Sequence, residues 1–434
     1  MILTDTFEAT TSTILLSLAT ALLAGLLLSR IVKFLKLPAV TAYLIAGILI
    51  GPSVLGVFDI PGLGIIEAQK DGLGTLSKLA LGFIAFAMGN EFRISQLKKI
   101  GKSATIIGIF QAVFTTLIVD AALIGLHFII PDQFSIKAAI ILGSIATATA
   151  PAATLMVVKQ YKAKGPLTDI LLPVVALDDA VGLIIFAISF GIAKSLGTGN
   201  IEVTSIIIEP ILEIVLSLGL GALLGLAFSL IEKIFHSRSK RMAVTVTFVM
   251  LAVGISTLEN LHIGEVGISF SPLLTCMMLG TVFCNVCDFS EELMARADRW
   301  TAPLLILFFV ISGAELEFNV FTGAIVLVGI IYIIFRSLGK YFGANLSARM
   351  SKQSPSIVKY LGITLLPQAG VALGMAMTAK ELGPEGAIVA NITLFAVLIY
   401  EIVGPLLTKI SLTKAGDIDP SGRKSLRGVH PEHK

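Results

Sequence analysis

Charge is scarce in this chain. Only 14% of its 434 residues are Asp, Glu, Lys or Arg, against about 25% in an average soluble protein. Apolar residues reach 55% and mean hydropathy is +0.93, so a fold in water could not cover its own surface. Lipid is the natural solvent, although the length alone would suit two or three soluble domains. Cysteine is nearly missing: Cys276, Cys284 and Cys287 are too few for a disulfide framework, and nothing points to an oxidised ectodomain. Sixteen prolines and 40 glycines exclude a collagenous or low-complexity chain. A formal charge of +3, spread along the sequence, argues against nucleic acid as a partner. Residues Met1 to Thr11 contain Asp5 and Glu8 but no Lys or Arg. Without the basic start of a cleaved signal peptide, the first apolar stretch is expected to remain as a span.

What the chain has in abundance is long apolar runs. Crossing roughly 30 Å of hydrocarbon takes about 20 such residues in a helix. Thirteen runs qualify, at 13–30, 38–56, 75–92, 104–130, 138–158, 167–193, 205–235, 242–258, 267–286, 301–316, 321–344, 358–379 and 386–410. The expected fold is therefore an all-α polytopic membrane protein. Residues 1–410 make one transmembrane unit and 411–434 a short polar tail. With the amino terminus outside, 26 of the 32 basic residues fall on inner loops or in the tail. Lys340, Arg296, Arg299 and Arg238 are counted among the inner-loop residues. Five fall outside and one, Arg336, lies within a span. That asymmetry satisfies the positive-inside rule and puts the carboxyl terminus in the cytoplasm.

An ionisable group at mid-bilayer costs about 2.5–3.5 kcal/mol on insertion scales, so each needs a reason. Asp178 and Asp179 occupy the middle of the sixth run and Arg336 the eleventh. Adjacent helix positions point about 100° apart, so one carboxylate can face a water-filled path while the other faces a helix. Two runs are also interrupted: the fifth by Ala146-Thr-Ala-Thr-Ala-Pro-Ala152, the twelfth by Leu365-Leu-Pro-Gln-Ala-Gly370. Proline removes a backbone donor and clashes with the preceding turn. The freed carbonyls are tolerated at depth only inside protein or along a cavity. Thr147, Pro151, Pro367 and Gln368 are the candidate lining of these breaks. Runs 1–6 and 8–13 start from opposite faces, which implies two inverted six-helix repeats with crossed discontinuous helices. Weaker signals stay weak. Cys284-Asn-Val-Cys287 lacks a second pair of ligands, and the five histidines form no cluster. Asp120 and Glu401 lie within runs; Glu401 could line an inner funnel, snorkel or form a local hydrogen bond.

Several of these segments resemble one family. Tyr43-Leu-Ile-Ala-Gly-Ile-Leu-Ile-Gly-Pro52, Leu81-Gly-Phe-Ile-Ala-Phe-Ala-Met-Gly-Asn-Glu91 and the Thr-rich break before Ala176-Leu-Asp-Asp-Ala-Val-Gly182 are similar to signatures of monovalent cation:proton antiporters. These belong to the second, mostly prokaryotic branch of the sodium/hydrogen exchanger superfamily. Arg336-Ser-Leu-Gly339 matches where that family places a cation facing the acids. The resemblance implies that Asp179 binds the ion, that Asp178 pairs with Arg336, and that Thr149 adds an oxygen ligand. It also implies a core domain, drawn from 104–193 and 321–410, moving on a scaffold drawn from 13–92 and 205–316. That scaffold would form a homodimer in a prokaryotic plasma membrane.

The expected activity is secondary antiport of protons against Na⁺ or another monovalent cation, with no cofactor and no enzymatic step. K⁺ exchange and sodium-coupled symport of an organic anion are the alternatives. An intramembrane aspartyl protease needs its carboxylates on different helices, sharing a proton; here they are neighbours on one. Arginine keeps its charge in proteins. An Arg336–Asp178 pair would therefore leave Asp179 as the sole titrating group, and exchange would be electroneutral.

Overall fold

The computed structural model describes residues 11–34, 38–58, 70–98, 101–196, 209–258, 261–263, 266–320 and 322–418. The amino-terminal residues before 11 and the tail beyond 418, both subjects of expectations above, lie outside these. Helices run in the order α1 (Thr11–Phe34), α2 (Ala39–Ile50), α3 (Lys70–Gly89), the single turn α4 (Ile94–Leu97), α5 (Lys102–His127), α6 (Ile136–Ile145), α7 (Pro151–Gln160) and α8 (Pro166–Ser195). After these come α9 (Glu209–Glu232), α10 (Arg238–Ser256), α11 (Pro272–Val286), α12 (Ser290–Ala314), α13 (Gly323–Met350), α14 (Pro355–Thr364), α15 (Gly370–Ala379) and α16 (Pro384–Lys414). A three-residue hairpin pairs β1 (Leu261–Ile263) with β2 (Val266–Ile268).

Among the described residues, nine helices are long and apolar enough to cross a membrane. α3, α6 and α11 supply shorter apolar segments. Eleven of the thirteen apolar runs correspond to one helix each, and the two interrupted runs to the pairs α6/α7 and α14/α15. Caps and prolines set the starts. Ser135, Ser271 and Thr322 accept from backbone N–H groups in the first turns of α6, α11 and α13. Pro166, Pro272, Pro355 and Pro384 open their helices, where the missing N–H is no loss.

Two boundaries correct the sequence reading. α12 begins at Ser290 rather than near 301, so Arg296 and Arg299 sit on a helix and not in a loop. α13 continues to Met350, and Lys340 is wholly buried in its middle. Lys340 therefore does not belong among the inner-loop residues.

The packing is that of a protein dissolved in lipid. Leu23 and Leu27 on α1 and Leu223 and Leu230 on α9 are all more than half exposed, while Gln111, Arg336, Lys340 and Gln368 are fully buried. Small residues let backbones meet where apolar burial gives little drive. A Cβ on Gly280 of α11 would stand 2.2 Å from the Phe86 carbonyl of α3, so that contact requires glycine.

One contact ties the turn after α16 to the acid-bearing helix. The Thr168 N–H and hydroxyl donate to Asp417 Oδ2 at 2.6 and 2.8 Å, and Lys164 N–H donates to the Asp417 carbonyl at 2.9 Å. Gly165, which precedes α8, has no side chain to cap it; Asp417 serves as the cap, 249 residues beyond Thr168. A Cβ at Gly165 would lie 2.2 Å from Asp417 Oδ1.

Candidate ion-binding site

The two interrupted crossings break over equal lengths, 146–150 between α6 and α7 and 365–369 between α14 and α15. They meet each other. Ala150 N–H donates to the Pro367 carbonyl at 2.8 Å, Thr149 Oγ1 to the Leu365 carbonyl at 3.2 Å, and Gln368 Nε2 to the Ile145 carbonyl at 3.0 Å. The breaks therefore bring together two helix C-termini, from α6 and α14, and two N-termini, from α7 and α15. Carbonyls at the first pair carry partial negative charge.

Arg336 answers that charge. Its Nε donates to the Ala146 carbonyl at 3.0 Å, and its two terminal nitrogens to Ala148 at 2.7 Å and Leu366 at 2.8 Å. The guanidinium lies over the Tyr400 ring, 4.3 Å from its centroid. Tyr400 is held in turn by Ser337 and the Ile333 carbonyl. This corrects the expected Arg336–Asp178 pair: each guanidinium nitrogen is instead committed to a backbone oxygen, two from the first break and one from the second. Replacing it strands three buried acceptors, at about 1–3 kcal/mol each. Arg336→Leu should therefore lower Tm markedly, and Arg336→Lys, a point charge without the fork, should recover only part. An unchanged Tm for Arg336→Leu would remove this role.

The partner of Asp178 is Lys340. Its ammonium pairs with Asp178 Oδ2 and also donates to the Thr147 carbonyl and, at 3.0 Å, to Thr149 Oγ1. The Thr149 hydroxyl donates to the same carboxylate oxygen, and Gln111 Nε2 of α5 donates to Oδ1. Lysine, acid, threonine and glutamine are all fully buried or within 1% of it. Asp179, also 1% exposed, lies beside Asp178 on α8. Gly182, one turn on, is set against Thr147: a Cβ there would be 2.4 Å from the Thr147 hydroxyl, so a larger residue would have to displace that side chain.

The structure thus brings Asp178, Thr149, Thr147, Pro367, Gln368 and Arg336 to one crossing, with Asp179 next to it. Thr147 and Pro367 contribute carbonyls. Gln368 ties α6 to α13, donating to Tyr332 as well at 3.1 Å. Pro151 forms the first residue of α7. Lys340 and Gln111 escaped the sequence reading. The three cysteines are free and buried.

A polytopic helical protein with buried acids at crossed broken helices is built as an ion transporter. A model of the transmembrane sodium/hydrogen exchanger family matches residues 18–414. The chain is 24% identical over 409 residues to the K⁺/H⁺ antiporter subunit KhtU of Bacillus subtilis, covering 90% of this chain and 92% of that one. It is 22% identical over 432 residues to the high-affinity Na⁺/H⁺ antiporter NhaS3 of Synechocystis, covering 86% and 88%. Its fold matches the sodium proton antiporter MjNhaP1 of Methanocaldococcus jannaschii with a TM-score of 0.71 at 18% identity, covering 93% and 98%. The chain belongs to the sodium/hydrogen exchanger family, as a membrane-embedded cation/proton antiporter and not an enzyme.

Proposed function

We propose that Asp179 is the exchange site, binding a proton or a monovalent cation of the Na⁺/K⁺ class, never both. The observation that supports this is the fixed pairing of its neighbour: the charge of Asp178 is committed to Lys340, with Thr149 and Gln111 also donating to it, while Asp179 is the second buried acid on α8 next to the breaks. Thr149 acts here chiefly as a donor that fixes Asp178. Competition for one carboxylate gives exchange when the core, drawn from 104–193 and 321–410, rocks against the scaffold of 13–92 and 205–316. The amino terminus lies outside, by the excess of basic side chains at the opposite rim. Two copies associate through the scaffold, and the two six-crossing halves form an inverted repeat.

Lys340 also changes the expected stoichiometry. Electroneutral exchange follows only from an arginine paired with Asp178, and the partner of Asp178 is Lys340. Unlike arginine, lysine can give up its proton in a protein interior. A cation on Asp179 sets a second positive charge next to the Lys340–Asp178 pair. A like charge nearby disfavours the buried ammonium, so Lys340 releases its proton. Two protons then leave for one cation, and one net charge moves.

The assay is proton release into proteoliposomes carrying a pH-sensitive dye, run with Na⁺, K⁺ and Li⁺ at equal ionic strength. Cation-dependent dequenching with at least one of these is expected. A pH gradient unmoved by all three would overturn the reading.

A further inference from the structure

A groove of about 910 Å³ opens between the start of α10 and the first half of α12. Its charged wall is Arg238 of α10 with Arg296 and Arg299 of α12; its apolar wall is Met242, Val246 and Trp300. Helical spacing places them. Residues 238, 242 and 246 rise one turn apart on α10, and 296, 299 and 300 share one face of α12. Arg296 is held by Glu292, one turn earlier. Arg299 gives Nε to the Ala295 carbonyl at 3.1 Å, which leaves its terminal nitrogens to the groove. Among the described residues, no carboxylate pairs with Arg238 or Arg299. Helix stability does not account for Arg238. A cation in the first turn opposes the helix dipole, yet Arg238, Lys240 and Arg241 all stand there.

The apolar wall continues past the groove. Met250, on the same side of α10 as Val246, is 52% exposed, so a greasy track leads from the arginines into the lipid-facing surface. Trp300 is the single tryptophan of the chain and is half exposed at the junction. Such amphipathic rings settle at the membrane interface. Its indole packs on Phe83 of α3, with ring centroids 5.8 Å apart, which fixes it as a wall.

We propose that this groove is a binding site for an anionic phospholipid, with the phosphate held by Arg238, Arg296 and Arg299 and an acyl chain lying along α10 past Val246 and Met250. Guanidinium forks match phosphate oxygens in pairs, and basic pockets between transmembrane helices are where acidic headgroups lodge. A free phosphate ion would meet the same arginines but gain nothing from the track. A zwitterionic headgroup would bring its own cation against three others.

The test uses the full-length protein in mixed micelles with dioleoylphosphatidylglycerol, dioleoylphosphatidylcholine or inorganic phosphate, reading Tm against lipid concentration. Phosphatidylglycerol should raise Tm where the other two do not. Each arginine removed should weaken the apparent affinity about fivefold, and Arg238→Gln/Arg296→Gln/Arg299→Gln together about a hundredfold. Where the triple variant folds poorly in phosphatidylcholine, Arg238→Gln alone, at an exposed helix start, carries the comparison. An equal phosphatidylglycerol response in wild type and variant would overturn the site. A shift reproduced by inorganic phosphate would make it a soluble-anion site instead. Loss of the oligomer in every lipid would make the groove a contact between copies of the chain.

Discussion

Asp179→Asn should abolish cation-dependent proton release while the protein keeps its Tm and its elution volume. The amide has nearly the shape of the carboxylate but neither titrates in the working range nor carries the charge a bare cation needs. Because the proposed cycle has one exchange carboxylate, no second route is available to absorb the loss. Asp179→Glu should keep exchange with altered apparent affinity for the cation, since the charge remains and only its reach changes. Substantial exchange by the asparagine variant would end the single-site account. Exchange lost together with Tm would mean instead that Asp179 is structural.

Removing Lys340 should have two separable effects. The first is on stability: Lys340→Ala leaves Asp178 buried without its cation, and breaking such a pair costs about 3–5 kcal/mol. Lys340→Ala combined with Asp178→Asn should be more stable than Lys340→Ala alone. Strictly additive losses would show that the two groups do not interact. The second is on voltage. Wild-type exchange should speed up or slow down with an imposed membrane potential at fixed ion gradients, because two protons move against one cation. Lys340→Arg keeps the positive charge and cannot shed it, so any exchange it retains should be insensitive to voltage. Voltage-independent transport by the wild type would return the protein to one proton per cation.

The features legible in the sequence were those that violate their surroundings. Thirteen apolar runs stand out because charge is so rare between their ends, and Asp178, Asp179 and Arg336 stand out inside them for the same reason. Prolines at 151 and 367 marked both breaks. Partners were harder to read. Lys340 sits near the end of the eleventh run, 321–344, close to Arg349 and Lys352, and so looked like part of a basic loop. A periodic signal was present. Leu338, Phe342 and Leu346, spaced by one turn, face outward at 40, 52 and 43% exposure. The opposite stripe of Arg336, Lys340, Gly343 and Ser347 is buried. Reading the apolar face as the outside of α13 would have turned Lys340 inward. Gln111 was quieter, a single neutral polar residue in a long helix. The acceptors of Arg336 left no trace at all, since a backbone carbonyl has no letter of its own; they could be found only once both breaks were placed face to face.

The grip of Asp417 on α8 makes a handle of the turn after α16. Residues 164–168 and 417 are joined through both main chain and side chain, and the acid pair rides on the helix so held. Force or crowding applied to whatever follows residue 418 is transmitted to the helix that carries the acids. Severing the chain at 416 disconnects the handle, whereas severing it at 418 leaves it engaged, although the two cuts differ by two residues. A partner that pulled on the segment after α16 would gain leverage over ion exchange without approaching the ion.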